Sequence, residues 1–311
     1  MPSPPERIRL ATRESPLALR QANLVAEALR ARAGVAVELV GLTTRGDRVL
    51  DRPLAQVGGK GLFVKELEAA LLEGSADAAV HSMKDVPMEV DEAFALRTFG
   101  AREDPLDAFV SDRYASAADL PAGAVVGTSS LRRECQLRRA FPTLQFRPLR
   151  GNVNTRLAKL ERGEYDAIVL AIAGLRRLGL ADRIRATIPA EVSLPAIAQG
   201  ILAIEYLRSR DDVAALFASF ERPEVAAAAR AERALGRLVE GSCEVPVGAL
   251  ATVRAQALSL EGLVGTPDGA RIVRSSMQGA AADAEALGAA LGRNLLEQGA
   301  REILAALRAR A

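Results

Sequence analysis

The chain of 311 residues has one histidine, two cysteines, no tryptophan and four lysines. One histidine and two separated cysteines cannot supply a standard zinc site. Two cysteines make no disulfide framework, which predicts reduced thiols and a cytoplasmic location. A Ser-His-Asp triad would have to use His81 itself, and no Gly-x-Ser-x-Gly nucleophile motif accompanies it. Aromatic residues are 4% and the net charge is only +2. Both argue against a nucleic-acid partner, which would need stacking surfaces and a strong basic field. No apolar run reaches the roughly 18–20 residues of a membrane span. The opening "MPSPPER" lacks the apolar stretch of a secretory signal. What remains is an ordinary soluble composition, 49% hydrophobic and 26% charged, with chain enough for one to three packed domains.

Arginine is abundant, outnumbering lysine 37 to 4. Its clustering says more than its abundance. Between Gly127 and Arg156 stand Arg132, Arg133, Arg138, Arg139, Arg147, Arg150 and Arg156 against a single acid, Glu134. Like charges this dense repel unless an anion offsets them.

The first third of the chain alternates strand and helix. "RIRLAT" reads as a strand, followed by a helix capped by Ser15, with Pro16 in its first turn and Gly34 at its end. "VAVELVGLTT" is the next strand, "GLFVKELEAALLEG" an amphipathic helix closed by Gly74, and "DAAVHS" a buried strand. The middle third repeats the theme. "AVVGTSS" runs into the helix "SLRRECQLRRAF", "LQFRPLRG" into "NVNTRLAKLERG", and "YDAIVLAIAGL" is a buried strand with its exit. One echo links the two parts: Gly74, Asp77, Ala78 and Val80 recur as Gly163, Asp166, Ala167 and Val169. The last third differs. Alternating strands turn at "TPDG", and a helical stretch is interrupted near "EQG", which predicts a small α+β unit beginning near Pro223.

Three strand-to-helix junctions carry arginine beside small polar residues: Arg13 with Ser15, Arg132 and Arg133 with Thr128 and Ser130, and Arg150 and Arg156 with Asn152. Ligands of open α/β sheets bind beyond the carboxyl ends of strands, and helix starts attract anions. Arg132 and Arg133 sit in a first helical turn, where a cation is unfavourable unless a carboxylate or phosphate offsets it. The three junctions together predict a cleft for a molecule with several negative groups. "VGGKGLFVKE", with Lys60 and Phe63, lacks Walker A spacing and reads as a lid loop. Cys135 lies on a helix face shared with Leu131 and reads as buried. Cys243 lies in the loop "GSCEVPVG", where the residues alone leave a reactive and a structural thiol equally open. His81 lies in the apolar strand, on the structural side of "AVHSMKDVP".

Nine segments in order, "ATRESPLAL", "TRGD", "GGKGLFVKELE", "AVHSMKD", "REDPLDAFV", "VGTSSLRR", "RGNVNTRL", "AGLRRLG" and "GSCEVPVG", resemble the porphobilinogen deaminase family from about Arg9 to Ala306. The resemblance implies an α/β fold: two periplasmic-binding-protein-like domains flanking a cleft, plus a small α+β C-terminal domain. It implies domain 1 over residues 1–101 and 200–219, domain 2 over 102–199 and domain 3 over 220–311. It implies head-to-tail condensation of four porphobilinogens with loss of ammonia, on a covalent dipyrromethane cofactor, and release of a linear tetrapyrrole by hydrolysis.

By the same resemblance, Cys243 attaches the cofactor through a thioether and Asp85 is the catalytic carboxylate, stabilising the cationic azafulvene and the charged pyrrole nitrogens. Arg13, Arg132, Arg133, Arg150, Arg156 and Arg177 match carboxylate-binding positions. Ser15, Lys60, Phe63, Ser82, Lys84, Thr128, Ser130, Leu170 and Gln199 match supporting ones. The implied protein is a cytoplasmic monomer without nucleic-acid or membrane partners. Gln56 stands where the family commonly has lysine, Ala198 where glycine is usual, and Ser242 and Glu244 where glycine and glutamine are frequent. A non-catalytic anion-binding protein of the same two-lobed fold is the alternative that strand-end arginines alone would permit; turnover of porphobilinogen separates the two.

Overall fold

The computed structural model describes residues 5–44, 61, 64–239 and 245–309. In chain order the first elements are β1 (Arg7–Arg13), α1 (Pro16–Ala33), β2 (Ala36–Leu42), α2 (Lys65–Leu72), β3 (Ala78–Ser82) and β4 (Phe94–Phe99). There follow β5 (Asp107–Val110), β6 (Val125–Gly127), α3 (Leu131–Ala140), β7 (Gln145–Arg147), α4 (Val153–Glu161), β8 (Ala167–Ala171), α5 (Ile172–Arg177) and β9 (Ala186–Ile188). Strand β10 (Leu202–Leu207) and helices α6 (Asp211–Ala218) and α7 (Pro223–Leu238) come next. The last are β11 (Val247–Arg254), β12 (Ala257–Gly265), β13 (Ile272–Ala280), α8 (Ala284–Leu295) and α9 (Arg301–Arg308).

Two five-stranded sheets share one layout. The first runs β2-β1-β3-β10-β4 and the second β7-β6-β8-β5-β9. In each, three strands are parallel and the fourth position is antiparallel to its neighbours. That odd strand is the one the chain enters after crossing over: β5 on the way into the second sheet, β10 on the way back. Both faces of each sheet are covered. In the first, Ile8 and Leu10 pack with Val25 and Leu29 of α1, while Ala11 and Ala79 pack with Leu67 and Leu71 of α2. Burial on both faces explains why the central strands β3, β5 and β8 are largely apolar rather than alternating.

The sequence echo is a structural one. Asp77 and Asp166 precede the third parallel strand of their respective sheets. The Asp77 N–H donates to Arg9 O at 2.9 Å, and the Arg9 N–H donates back to Asp77 Oδ2 at 2.9 Å. Asp166 repeats this with Val125, donating to its O at 2.9 Å and accepting its N–H at 2.7 Å. Each aspartate thus locks the register between the first and third strands of its sheet.

The crossovers run side by side. Glu103 N–H donates to Gly200 O at 3.1 Å, and a Cβ on Gly200, whose φ is +90°, would lie 2.2 Å from Glu103 O. Only glycine fits so close an approach. Ala198, two residues earlier, has φ +58°, a left-handed conformation that costs an L-residue with a Cβ about 1–2 kcal/mol. Glu232 of α7, fully buried, ties both crossovers down. It accepts from Ala198 N at 2.6 Å and Ala251 N at 2.7 Å, and it holds Arg102 at 2.6 and 3.2 Å.

The third sheet is the antiparallel meander β11-β12-β13, packed on α7 and α8. The two helices approach closely because Gly288 stands where a Cβ would lie 2.1 Å from Ala231 O. The expected break near "EQG" is Gly299, at φ +108°. The strand expected over "LQFRPLRG" is shorter, Gln145–Arg147, because Pro148 cannot continue a ladder. Cys135 is fully buried, and burial pushes its thiol up to about 12.

Candidate active site

Strand β3 ends at Ser82 and tightens into a single 3-10 turn, Met83–Asp85. Two contacts define this end. Ser82 Oγ accepts from Gln21 Nε2 of α1 at 2.7 Å, and Met83 N–H donates to Ile201 O at 2.9 Å. His81 points the other way. It is buried, with Nε2 3.0 Å from Glu205 Oε2 on the neighbouring strand β10. The unique histidine therefore belongs to the sheet interior. Beyond it, Lys84 is half-buried and Asp85 is exposed at the tip of the turn. Burial pushes the Lys84 ammonium down to about 8, against the pull of Asp85.

The β6–α3 junction supplies the densest charge. Thr128 is buried, with its N–H on Arg147 O at 3.0 Å and its Oγ1 accepting from Ser130 N at 3.2 Å. Ser130 is the N-cap residue of α3 but makes no side-chain cap bond. Arg132 and Arg133, both buried, converge on one carboxylate, Asp107 at the start of β5. Arg132 Nη1 and Nη2 donate to Asp107 at 2.9 and 3.3 Å, and Arg133 Nη2 donates at 2.8 Å. Ser193 Oγ and Gln199 Nε2 add 3.0 and 2.9 Å bonds to the same group. Burial alone would push the Asp107 carboxyl up. The charges and hydrogen bonds of the two arginines outweigh it and hold it far below the usual carboxylate range.

The offsetting anion expected at this helix start is thus the chain's own Asp107. Asp107 lies 25 residues before Arg132, on a strand whose apolar neighbours hide it. The two arginines keep their Nε atoms buried without a hydrogen-bond partner.

Asn152 caps α4 by accepting from Thr155 N at 2.9 Å. One turn in, Arg156 Nε donates to Gly151 O at 2.8 Å. Burial, then repulsion from Arg133 and Arg150, pushes Arg156 down to about 10, with Asp85 opposing the drop. Burial also lowers Arg150. Arg177, at the end of α5, donates to Gly200 O at 2.6 Å, and burial pushes it down to about 10.

One group therefore assembles from both sheets. Lys84 feels Asp85, Arg133, Asp107 and Arg132; Arg156 feels Arg133, Arg150 and Asp85. Gln199 joins the halves, accepting from Lys84 Nζ at 3.4 Å while donating to Asp107 and to Pro105 O. Arg13 and Ser15 stand at the β1–α1 junction, half-buried, with Ser15 Oγ accepting from Ala18 N at 3.3 Å. Their helix start touches α5, since Leu17 would meet a Cβ on Gly174 at 3.6 Å. Leu170 is 3% exposed and packs with Leu157 and Leu160 of α4 in the core. Lys60, Phe63 and Cys243, with the departures Gln56, Ser242 and Glu244, lie outside the described residues.

Sequence reasoning missed Asp107 as the hub, Ser193 beside it, and the Arg102–Glu232 pair behind the crossovers. The signal for Asp107 is the segment "REDPLDAFV", in which an aspartate interrupts an otherwise apolar strand start. Among the described residues no group of three His, Cys, Asp or Glu could hold a metal ion. No described helix is long and apolar enough to cross a membrane.

Residues 8–215 match the family model described as "Porphobilinogen deaminase, dipyromethane cofactor binding domain", and residues 226–297 match "Porphobilinogen deaminase, C-terminal domain". Among solved structures, the methionine binding protein MetQ is similar at 16% identity over 71% of this chain and 92% of that one, with a TM-score of 0.45. A nutrient binding protein from Burkholderia cenocepacia bound to methionine is 16% identical over 70% and 93%, TM-score 0.43. The BvgS VFT2 domain of Bordetella pertussis (a double mutant) is 19% identical over 68% and 85%, TM-score 0.41. The fold is α/β, with two sheet units of one layout and a small α+β unit after them.

Proposed function

The chain belongs to the porphobilinogen deaminase family of tetrapyrrole biosynthesis, and on that premise we propose that it is a hydroxymethylbilane synthase whose catalytic carboxylate is Asp85. The observation that carries this reading is the position of Asp85. It is exposed at the end of β3 and lies in the electrostatic field of Lys84 from its own turn and of Arg156 from the second sheet.

The family's dipyrromethane cofactor fits these residues. Its acetate and propionate groups would meet desolvated arginines that repel one another, Arg150 and Arg156 beside Arg133. The orphaned Nε atoms of Arg132 and Arg133 point to the same deficit of acceptors. Arg132, Arg133, Arg150 and Arg156 would hold the cofactor's carboxylates, with Lys84, Ser82, Thr128 and Ser130 beside them and Cys243 as the thioether attachment. When bound, the cofactor supplies the pyrrole carbon that primes the chain. Arg13, Ser15 and Arg177 would receive carboxylates of incoming porphobilinogen, with Gln199 holding Lys84 in place. Lys60 and Phe63 would belong to the loop that covers the site.

Asp85 acts on the reacting pyrrole. Loss of ammonia leaves the porphobilinogen unit cationic, and a fixed carboxylate stabilises that charge where it develops. The same oxygen hydrogen-bonds the pyrrole N–H and moves the protons that the exchange of ammonia for carbon requires. Burial of the arginines strengthens their charge contacts by excluding water.

The same reading divides the chain into domain 1 (1–101 and 200–219), domain 2 (102–199) and domain 3 (220–311). It is supported by the distribution of the three sheets along the chain. It takes the enzyme to work as a monomer in the cytoplasm. Intact mass before and after porphobilinogen addition, with tetrapyrrole release measured in parallel, tests the proposal. The expected result is a mass excess of two pyrrole units on resting protein and stepwise additions during turnover. Active protein without that excess would overturn it.

A further inference from the structure

The turn that carries Asp85 is held from behind by a residue of the last third of the chain. Arg233 of α7 is 7% exposed. Its Nη2 donates to Pro87 O at 2.6 Å and to Met88 O at 3.0 Å, and its Nη1 donates to Val86 O at 3.4 Å. These are the three residues after Asp85. They form irregular backbone, so no strand or helix partner satisfies their carbonyls, and Pro87 has no N–H to anchor the segment by donation. One turn further along α7, Gly236 leaves room for Met88: a Cβ there would lie 2.7 Å from its Sδ. The other side of the turn is fixed by the bond from Met83 N–H to Ile201 O at 2.9 Å.

Arg233 makes no ion pair among the described residues. Glu89 and Glu205 act on it only at longer range, and Arg237 repels it. Burying a cation without a bonded carboxylate is costly. A planar fork is the side chain that reaches successive carbonyls from one point; an ammonium is a single point charge. Charge, burial and fork geometry are all directed at the backbone that leaves Asp85.

We infer that Arg233 is a positioning residue for Asp85, fixing from α7 the turn out of which the carboxylate projects. The inference rests on Asp85 being the catalytic carboxylate. Displacing a reacting group by about 1 Å commonly costs on the order of a hundredfold in rate, so a loosened turn acts on kcat.

The test is a double-mutant cycle on cofactor-loaded enzyme, with amide exchange on the folded protein as a second readout. Arg233→Gln is expected to retain the two-pyrrole mass excess, to lower kcat about tenfold or more, and to leave KM within about threefold. In an Asp85→Asn background the same change should have no further effect, because Arg233 acts only through that carboxylate. The Val86 amide, bonded to Met83 O at 3.2 Å, should exchange faster in Arg233→Gln while the β3 amides stay protected. Where Arg233→Gln does not fold, the cycle runs with Arg233→Lys, which keeps the charge and loses the fork; a smaller kcat loss, again absent beside Asp85→Asn, is expected. Unchanged kcat, or losses that multiply in the double variant, would overturn the inference. Normal turnover by Asp85→Asn would instead remove the role of Asp85, and the exchange at Val86 would separate that failure from a failure of Arg233 to hold the turn.

Discussion

Gln199 stands between Lys84 and Asp107: its Oε1 accepts from Lys84 Nζ at 3.4 Å while its Nε2 donates to Asp107 Oδ1 at 2.9 Å. One amide thereby ties the turn that presents Asp85 in the first sheet unit to the buried carboxylate that organises two arginines in the second. Charge in one sheet unit is coupled to charge in the other.

Asp85→Asn keeps the shape of the side chain and removes its charge. Folding and cofactor loading should be preserved, since Asp85 is exposed. Turnover should fall by about a hundredfold or more, the usual scale of a proton-handling group. Intact mass and steady-state release of product check the two parts separately; near-normal turnover would remove Asp85 from the chemistry.

The two cysteines should separate cleanly. Cys243→Ser should lack the two-pyrrole mass excess. Cys135→Ala should retain it, because a fully buried thiol pushed up to about 12 is protonated and inert. Its cost should be stability alone, about 1 kcal/mol for a small buried group, read by denaturant unfolding.

Lys84 predicts an alkaline limb. Its folded-state value of about 8 lies below the ordinary 10.5, so the ammonium needed for a ligand carboxylate is lost as pH rises through about 8. Because that value is the cofactor-free protein's, loading of cofactor-free protein with the dipyrromethane, followed by intact mass, should decline there. Lys84→Arg should move that decline upward by at least about one pH unit. An unmoved limb would assign it to another group.

Asp107→Asn should be the costliest of these changes. It leaves Arg132 and Arg133 buried without their carboxylate, a loss of about 3–5 kcal/mol. The sign of the pH effect follows from the depressed carboxyl. Its stabilisation is complete above the unfolded value of 3.8 and declines as pH falls below it. Wild-type stability should therefore drop in acid more steeply than that of the variant, as urea titrations from pH 6 to pH 2 would show.

Ala198→Gly should raise stability slightly, by up to about 1 kcal/mol, because relief of the left-handed strain exceeds the entropy that glycine adds to the unfolded chain. Thermal melting checks the direction, and a fall in Tm would mean that the bond from Ala198 N–H to Glu232 already relaxes the site.

Much of this molecule is legible from local pattern. Periodicity, caps and glycine stops locate most helices and the parallel strands, because these signals are properties of neighbouring residues. The Asp77 and Asp166 echo is visible for the same reason: each aspartate sits beside the strand it registers. The placing of His81 inside the apolar strand likewise needs only its neighbours, and the strand ends with their arginines are evident in order along the chain. Strands β4, β5, β9 and β10 are not, since being short or buried on both faces they carry no alternation. The partners of the arginines are hidden more deeply. Asp107 meets Arg132 and Arg133 only because β5 and α3 are brought together by the crossover. Arg233 meets Val86, Pro87 and Met88 across 145 to 147 positions. Charge type and spacing are written locally, whereas which charge neutralises which, and which backbone each fork holds, depend on long-range packing. An arginine in sequence carries only a sign; its role follows from the acceptor that the fold places in front of it.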